Sequence, residues 1–219
     1  MSAGAAASGA GSFLAQERRR AQLTPALSKA PRAAAASVPS LEKPTTLMSL
    51  PDGWLNMAEF FAGRSVFITG ATGFVGKAVV EKLLRACPDI GRIFVLIRPK
   101  KGSTPGARME EDIIQSRIWE RLTAEREVAD LKPWLRSKIV PVAGDVLQEN
   151  MGVGPSDMEL MKAEVSVVFH CAASINFDDR LDKAIALNVS GALHCVEMAR
   201  QLPHIVSHVH VSTCYVNAH

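Results

Sequence analysis

Short apolar runs alternate with longer amphipathic stretches from Ser65 onward. Runs of strand length occupy residues 65–69, 92–97, 138–142, 165–169 and 206–212. Helical patterns occupy residues 75–86, 107–122 and 179–202. Because the strand runs are continuously apolar rather than alternating, we expect helices to cover both faces of their sheet. The pattern predicts an α/β fold built on a doubly wound parallel sheet, the Rossmann arrangement.

The first 60 residues differ from the rest of the chain. Residues 1–41 are rich in Ala and Ser, contain Glu17 as their one acidic residue, and show no sustained periodicity. This composition predicts a disordered extension over residues 1–60, and an organelle transit peptide is the alternative. A short amphipathic segment that docks on the body is predicted from Trp54, Leu55, Met57, Phe60 and Phe61. The folded domain is therefore expected over residues 61–219.

Composition and charge exclude several classes of protein. The 219 residues are 47% hydrophobic and 21% charged, with a formal net charge of +3, so no nucleic-acid surface is expected. No stretch reaches the ~18 apolar residues of a membrane span. The cysteines, which form no CxxC pair, indicate reduced thiols in an intracellular compartment. They are Cys87, Cys171, Cys195 and Cys214.

A glycine-rich loop follows the first predicted strand and opens the first predicted helix. Its glycines are Gly70, Gly73 and Gly76, within the sequence TGATGFVG. Gly70 can make a tight turn, Gly73 can let the backbone approach a pyrophosphate, and Gly76 can let helix and strand pack closely. An ordinary helix-start turn is the alternative, but the order of strand, loop and helix favours a dinucleotide site.

The end of the second strand carries basic residues where an NAD-specific domain places an acidic one. Arg98 stands 22 residues after Gly76, followed by Lys100 and Lys101. A guanidinium at this position can pair with the 2′-phosphate of the adenosine ribose. The loop therefore favours NADP(H) over a merely solvated basic turn.

Two further segments follow strand ends. Asp145 and Val146 come after the third strand, where they can contact adenine or form a plain turn. His170 leads a run of small residues after the fourth strand, and it can equally be a satisfied core histidine. The group His204, His208 and His210 lacks a nearby carboxylate or thiolate, so no metal site is predicted.

Several of these segments resemble fatty acyl-CoA reductases, which are extended short-chain dehydrogenases. The resemblance covers roughly residues 58–219. It implies NADPH-dependent reduction of long-chain acyl-CoA to fatty alcohol, in a peroxisome or at the endoplasmic reticulum membrane. It rests on TGATGFVGK, CPDI with IFVLIRPKKG, GD at 144–145, FHCAAS at 169–174, LNV at 187–189 and HVST at 210–213.

The resemblance also implies roles for individual residues. The cofactor contacts would be Gly70, Thr72, Gly73, Phe74, Gly76, Arg98, Asp145, Val146, Ala172 and Ala173. Thr213, or else Ser212, would supply the catalytic hydroxyl at the end of the fifth strand. Asn188 would support the active site from an inward stripe of its helix that includes Leu181 and Ile185.

The chain departs from the resembled enzymes in one respect. They need a Tyr-x-x-x-Lys pair, but Tyr215 is followed four residues later by His219. We therefore expect a sheet that is incomplete at its C-terminus, with the catalytic pair in a longer parent protein and little activity in this piece. A non-catalytic NADP(H)-binding module and a nucleotide-sugar epimerase or dehydratase of the same fold are the alternatives.

Overall fold

The computed structural model describes residues 56–125 and 130–213, and within them the strands form one parallel sheet. The strands are β1 (Ser65–Thr69), β2 (Ile93–Ile97), β3 (Ile139–Ala143), β4 (Val165–His170) and β5 (Ser207–His210). Their order is β3-β2-β1-β4-β5, and every adjacent pair is parallel. The predicted doubly wound parallel sheet is confirmed.

Helices connect these strands on both faces. They are α1 (Met57–Phe61), α2 (Phe74–Ala86), α3 (Pro105–Met109), α4 (Glu120–Glu125), α5 (Leu131–Lys138), α6 (Pro155–Glu164), α7 (Leu181–Ile185) and α8 (Gly191–Ala199). A π turn, Glu110–Ile114, continues α3, and a second, Ala186–Ser190, joins α7 to α8. Short 3₁₀ turns occupy Arg117–Trp119 and Glu149–Gly152. No helix of the described ranges has the length and apolar character needed to cross a bilayer.

The sheet separates two hydrophobic cores, because successive strand side chains point to opposite faces. Ile68 packs on the side of α2, where Leu84 is fully buried. Phe67 packs on the other side, against the face covered by Met161 of α6 and Met198 of α8. Every residue of β1 and β2 is buried, as the continuous apolar runs predicted.

The helices differ in detail from the sequence pattern. The predicted helix over 107–122 is interrupted at Ser116, whose hydroxyl accepts a hydrogen bond from the Ile118 N–H at 3.4 Å and begins a new turn. The helices α5 and α6 were missed. Pro133 stands inside the first, and few of the second's residues are buried, so neither shows a clear apolar face.

The N-terminal predictions lie mostly outside the described residues. Residues 1–55, including Trp54 and Leu55, are not among them. In α1, the Asn56 side chain accepts hydrogen bonds from the first helical N–H groups, which caps the helix. Phe61 is 2% exposed and Phe60 packs against the core beside it.

Replacing Leu84 by alanine tests the α2 core. The side chain is completely buried, so Leu84→Ala should lower the free energy of unfolding by about 2–5 kcal/mol. Val75→Ala in the same helix is the matched control, because Val75 is half exposed and its loss should cost less than about 1 kcal/mol. Urea unfolding followed by circular dichroism measures both. Equal destabilisation by the two variants would contradict the described packing.

Candidate nucleotide-binding site

A cavity of about 300 Å³ opens where the carboxyl ends of β1, β2, β3 and β4 meet. The strand order reverses here, since the chain runs from β1 through β2 to β3 on one side and then crosses back to β4 and β5 on the other side of β1. Ligands of open α/β sheets bind at such a point. The cavity is lined by Gly70, Thr72, Gly73, Leu96, Arg98, Arg108, Gly144, Asp145, Val146, Cys171, Ala172, Ala173 and Leu187.

Gly70 allows the loops after β1 and β4 to touch. Its φ is +73°, in the left-handed region that favours glycine. A Cβ at this position would also stand 2.8 Å from the backbone nitrogen of Ala172 and from the carbonyl carbon of Cys171. Both the turn and the contact therefore require a residue without a side chain.

The N-terminus of α2 faces this cavity. Gly73 lines the cavity, precedes the helix and gives it no side-chain cap. The first N–H groups of a helix have no intrahelical acceptor, so this end can donate hydrogen bonds to a phosphate. Gly76 keeps the helix close to the loop, because a Cβ there would lie 2.6 Å from the carbonyl carbon of Gly70.

Thr69, at the end of β1, holds the backbone of the loop that follows β4. Its hydroxyl oxygen accepts hydrogen bonds from the N–H groups of Cys171 at 3.2 Å and Ala172 at 3.1 Å. Its own proton is then available for Nδ1 of His170, 2.8 Å away. This arrangement makes Nδ1 the acceptor and places the His170 proton on Nε2.

His170 is a buried core histidine with a hydrogen bond at one of its two ring nitrogens. The residue is 1% exposed, and its Nε2 has no hydrogen-bond partner within the described part of the chain. Its ring stacks on that of His210, with 5.3 Å between centroids. Burial, with the neighbouring His210 and His208, lowers the pKa of His170 to about 4, so the ring is neutral at pH 7.

Arg98 and Asp145 stand on the cavity wall, as the sequence predicted for cofactor contacts. Arg98 is exposed just beyond β2. The Asp145 carboxylate accepts the Leu147 N–H at 3.1 Å, so it forms the plain turn and lines the cavity as well. Val146 is buried beside it. The cofactor roles of these residues stay predictions.

Asn188 was expected on a buried stripe with Leu181 and Ile185, and this placement is wrong. All three residues are exposed. The amide of Asn188 instead clamps the backbone of Ser174: Oδ1 accepts its N–H at 2.8 Å and Nδ2 donates to its carbonyl at 3.1 Å. The π turn that contains Asn188 moves its side chain from the helix–sheet interface to the loop after β4.

Four other predicted residues do not line the cavity: Gly76 is buried under the loop, and the remaining three are exposed. Phe74, the first residue of α2, is 85% exposed. Ser212 and Thr213 are exposed beyond β5, at the same edge of the sheet as the cavity because the strands are parallel. Tyr215 lies outside the described residues.

Cys171 lies in the small-residue run expected to face the cofactor, whereas four further lining residues were given no role: Leu96, Arg108, Gly144 and Leu187. Gly144 belongs to the GD pair noted in the sequence, and a Cβ there would stand 2.6 Å from Leu96 Cδ1, so the close approach of this loop to β2 requires glycine. Arg108 carries no such signal, because its segment reads only as a charged helix. Across the ranges 56–125 and 130–213, no three His, Cys, Asp or Glu side chains are grouped to hold a metal ion.

Substituting Thr69 tests the contact between the two loops. Thr69→Val keeps the shape but leaves the Cys171 and Ala172 N–H groups without their acceptor, at about 1–3 kcal/mol for each unsatisfied group. We expect a lower free energy of unfolding and weaker nucleotide binding, measured by calorimetry and titration. Thr69→Ser keeps the hydroxyl and should restore most of both. A serine variant as impaired as the valine variant would refute the role of the hydroxyl.

The depressed pKa of His170 predicts acid sensitivity. The unfolded chain binds a proton near pH 6.5, whereas the folded chain resists protonation until about pH 4. The free energy of unfolding should therefore fall as the pH is lowered between these values. His170→Asn removes the titrating ring and should flatten this dependence, while His204→Asn, at an exposed site, should not. Denaturant midpoints measured from pH 4 to 7.5 decide between a histidine-dependent slope and none.

Comparison with known proteins agrees with this site. The chain is 36% identical to mouse fatty acyl-CoA reductase 1 and 37% identical to human fatty acyl-CoA reductase 2, over 161 residues in each case. These matches cover 74% of this chain and 30% of each relative, so the chain spans about a third of their length. The resemblance inferred from the sequence is confirmed.

A solved structure and a family model extend the comparison. The terminal R domain from the myxalamid PKS-NRPS biosynthetic pathway is 30% identical, with a TM-score of 0.53 over 71% of this chain and 36% of that chain. An NAD-binding family model, described as male sterility protein, matches residues 68–219 and so includes the glycine loop and the cavity. With that match over most of its length, the chain belongs to the male sterility protein family and binds a nicotinamide nucleotide.

Proposed function

We propose that this chain binds NADP(H) and forms the cofactor-binding part of an enzyme that reduces long-chain fatty acyl-CoA to fatty alcohol. The relatives named fatty acyl-CoA reductase support the substrate class. The observation that carries the cofactor choice is Arg98 on the cavity wall just beyond β2, where an NAD-specific site would present a carboxylate.

The cavity is suited to a dinucleotide. Gly70 and Gly76 bring two loops and a helix together without side chains between them. Gly73 leaves the N-terminus of α2 open toward the cavity, where its N–H groups can bind the pyrophosphate. Ala172 and Ala173 present a flat wall of small side chains, held in place through Thr69.

The reaction would take place at the same edge of the sheet. A nicotinamide held in this cavity would supply a hydride to the thioester carbonyl carbon, CoA would leave as its thiol, and a second NADPH would reduce the resulting aldehyde to the alcohol. Thr213 or Ser212 would donate a hydrogen bond to the carbonyl oxygen, where negative charge develops. Asn188 would hold the Ser174 backbone, and with it the loop beside Ala173, in a fixed position.

Two measurements on the full chain test the proposal. Fluorescence titration with NADPH and NADH should show tighter binding of NADPH, whereas palmitoyl-CoA should cause little NADPH oxidation, because this sequence has no Tyr-x-x-x-Lys pair. Tighter binding without turnover would favour a binding module, or an enzyme that needs further residues. Failure to bind either nucleotide would refute the proposal.

Reversing the charge of Arg98 tests the cofactor preference. Arg98→Glu removes a cation and adds a carboxylate facing the ribose, so NADPH should bind about ten- to a hundredfold more weakly while NADH changes little. Arg117→Glu is the matched control, because Arg117 is 90% exposed and does not line the cavity. Equal weakening of both nucleotides by Arg98→Glu would show that Arg98 does not select between them.

A further inference from the structure

We infer that the loop after β4 binds the acyl chain of the substrate through the exposed side chains of Ile175 and Phe177. This inference rests on the proposed acyl-CoA reductase function and names two residues that would select for the length of the chain. It follows from the position of the loop beside the cavity, from the hydrogen bonds that order it, and from its two uncovered apolar side chains.

The loop leaves the cavity on the side where a nicotinamide would lie. Arg98, beyond β2, marks the end proposed for the adenosine ribose, and the N-terminus of α2, beyond β1, faces the pyrophosphate. Because the strand order is β3-β2-β1-β4-β5, a dinucleotide that continues in the same direction would have its nicotinamide over β4 and β5. Ala173 lines the cavity after β4, so the loop that begins at Ser174 borders the expected place of hydride transfer.

Hydrogen bonds hold this loop in one conformation. The Ser174 hydroxyl donates to Asp179 Oδ2 at 2.6 Å, and Asn176 Nδ2 donates to the other oxygen of that carboxylate at 3.1 Å. The Asp178 N–H donates to Asn176 Oδ1 at 3.2 Å, and Asn188 binds both the N–H and the carbonyl of Ser174. The polar side chains of the loop therefore bond to one another and to its backbone.

The two large apolar side chains of the loop remain in solvent. Ile175 is 88% exposed and Phe177 is 94% exposed, more than any other large hydrophobic residue in the ranges 56–125 and 130–213. A single exposed apolar residue is common on protein surfaces, but two of them on an ordered loop beside a ligand cavity indicate a contact site. An apolar ligand that covered them would gain affinity in proportion to the apolar area removed from water.

An acyl chain is the ligand that fits this position. In a thioester, the carbonyl carbon that accepts the hydride is bonded directly to the first methylene group of the chain. That methylene must therefore lie within a few bond lengths of the nicotinamide, and the chain must leave along a neighbouring surface. The loop offers an apolar surface there, which suits an uncharged chain and not the phosphates of CoA.

Contact with another protein surface is the competing explanation. A second copy of this chain, or a further segment of a longer protein, could cover Ile175 and Phe177, and the affinity for acyl-CoA would then not depend on them. The two explanations differ in how affinity changes with the length of the acyl chain. Each methylene group that is buried against the loop should raise the affinity about fourfold.

Calorimetric titration of the full chain with free CoA, acetyl-CoA and dodecanoyl-CoA, with and without NADPH, tests the inference. The unsubstituted chain should bind dodecanoyl-CoA at least about tenfold more tightly than acetyl-CoA. Phe177→Ser and Ile175→Ser should each weaken dodecanoyl-CoA about tenfold and change free CoA less than about twofold. Phe177→Leu, which keeps an apolar side chain, should recover most of the affinity.

Val206→Ser is the matched control. Val206 is 55% exposed and directly precedes β5, at the edge of the sheet opposite the cavity, so its substitution removes a similar apolar surface from a distant place. This variant should bind all three CoA compounds as the unsubstituted chain does.

The outcomes separate this inference from the proposed function. If dodecanoyl-CoA and free CoA bind equally, or if Phe177→Ser behaves like Val206→Ser, the inference is overturned while NADPH binding stands. If Phe177→Ser abolishes a dimer seen by sedimentation velocity and leaves the acyl-CoA affinity unchanged, the loop is a protein contact and the inference again fails. If the affinity for dodecanoyl-CoA depends on Phe177 but NADPH does not bind, the acyl site stands and the proposed cofactor fails.

Discussion

The backbone contact between Gly70 and the Cys171–Ala172 peptide sets the geometry of the site. It brings the ends of β1 and β4 so close that a single methyl group at Gly70 would overlap the opposite strand end. Thr69 supports the contact by binding two N–H groups of that loop and directing its own proton to His170. The small-residue wall and the open end of α2 both depend on this contact, because each is carried by one of the two loops.

Electrostatics then divides the cavity into regions. The N-terminus of α2 presents N–H donors to the cavity beside Gly73, while Arg98 places a positive charge on the cavity wall at the end of β2. The preference for a phosphorylated ribose that we propose would depend on the strand end that places Arg98 on the cavity wall. Arg108 of α3 holds that strand end by donating a hydrogen bond to the Arg98 carbonyl oxygen.

The sequence predicted correctly those structural features whose physical cause acts between neighbouring residues. Continuous apolar runs located the five strands of the described residues, and the glycine spacing located the loop, because burial and backbone sterics act on neighbouring residues. The position of Asn188 was misjudged because a regular helical period cannot anticipate the π turn. Arg108 was missed as a lining residue because it reaches the cavity only through the fold, which brings it against a strand end ten residues earlier.

The π turn Ala186–Ser190 acts as a phase shift in its helix. The helices before and after it have ordinary α-helical turns. Asn188 points outward to Ser174, whereas Gly191, three residues later, faces Val146 so closely that a Cβ on it would lie 3.4 Å from the Val146 side chain. Deleting one residue here would restore regular turns but rotate everything on one side by ~100°, so either the clamp or the packing would be lost. The residue count of this turn is therefore constrained by two contacts on different sides of the same helix.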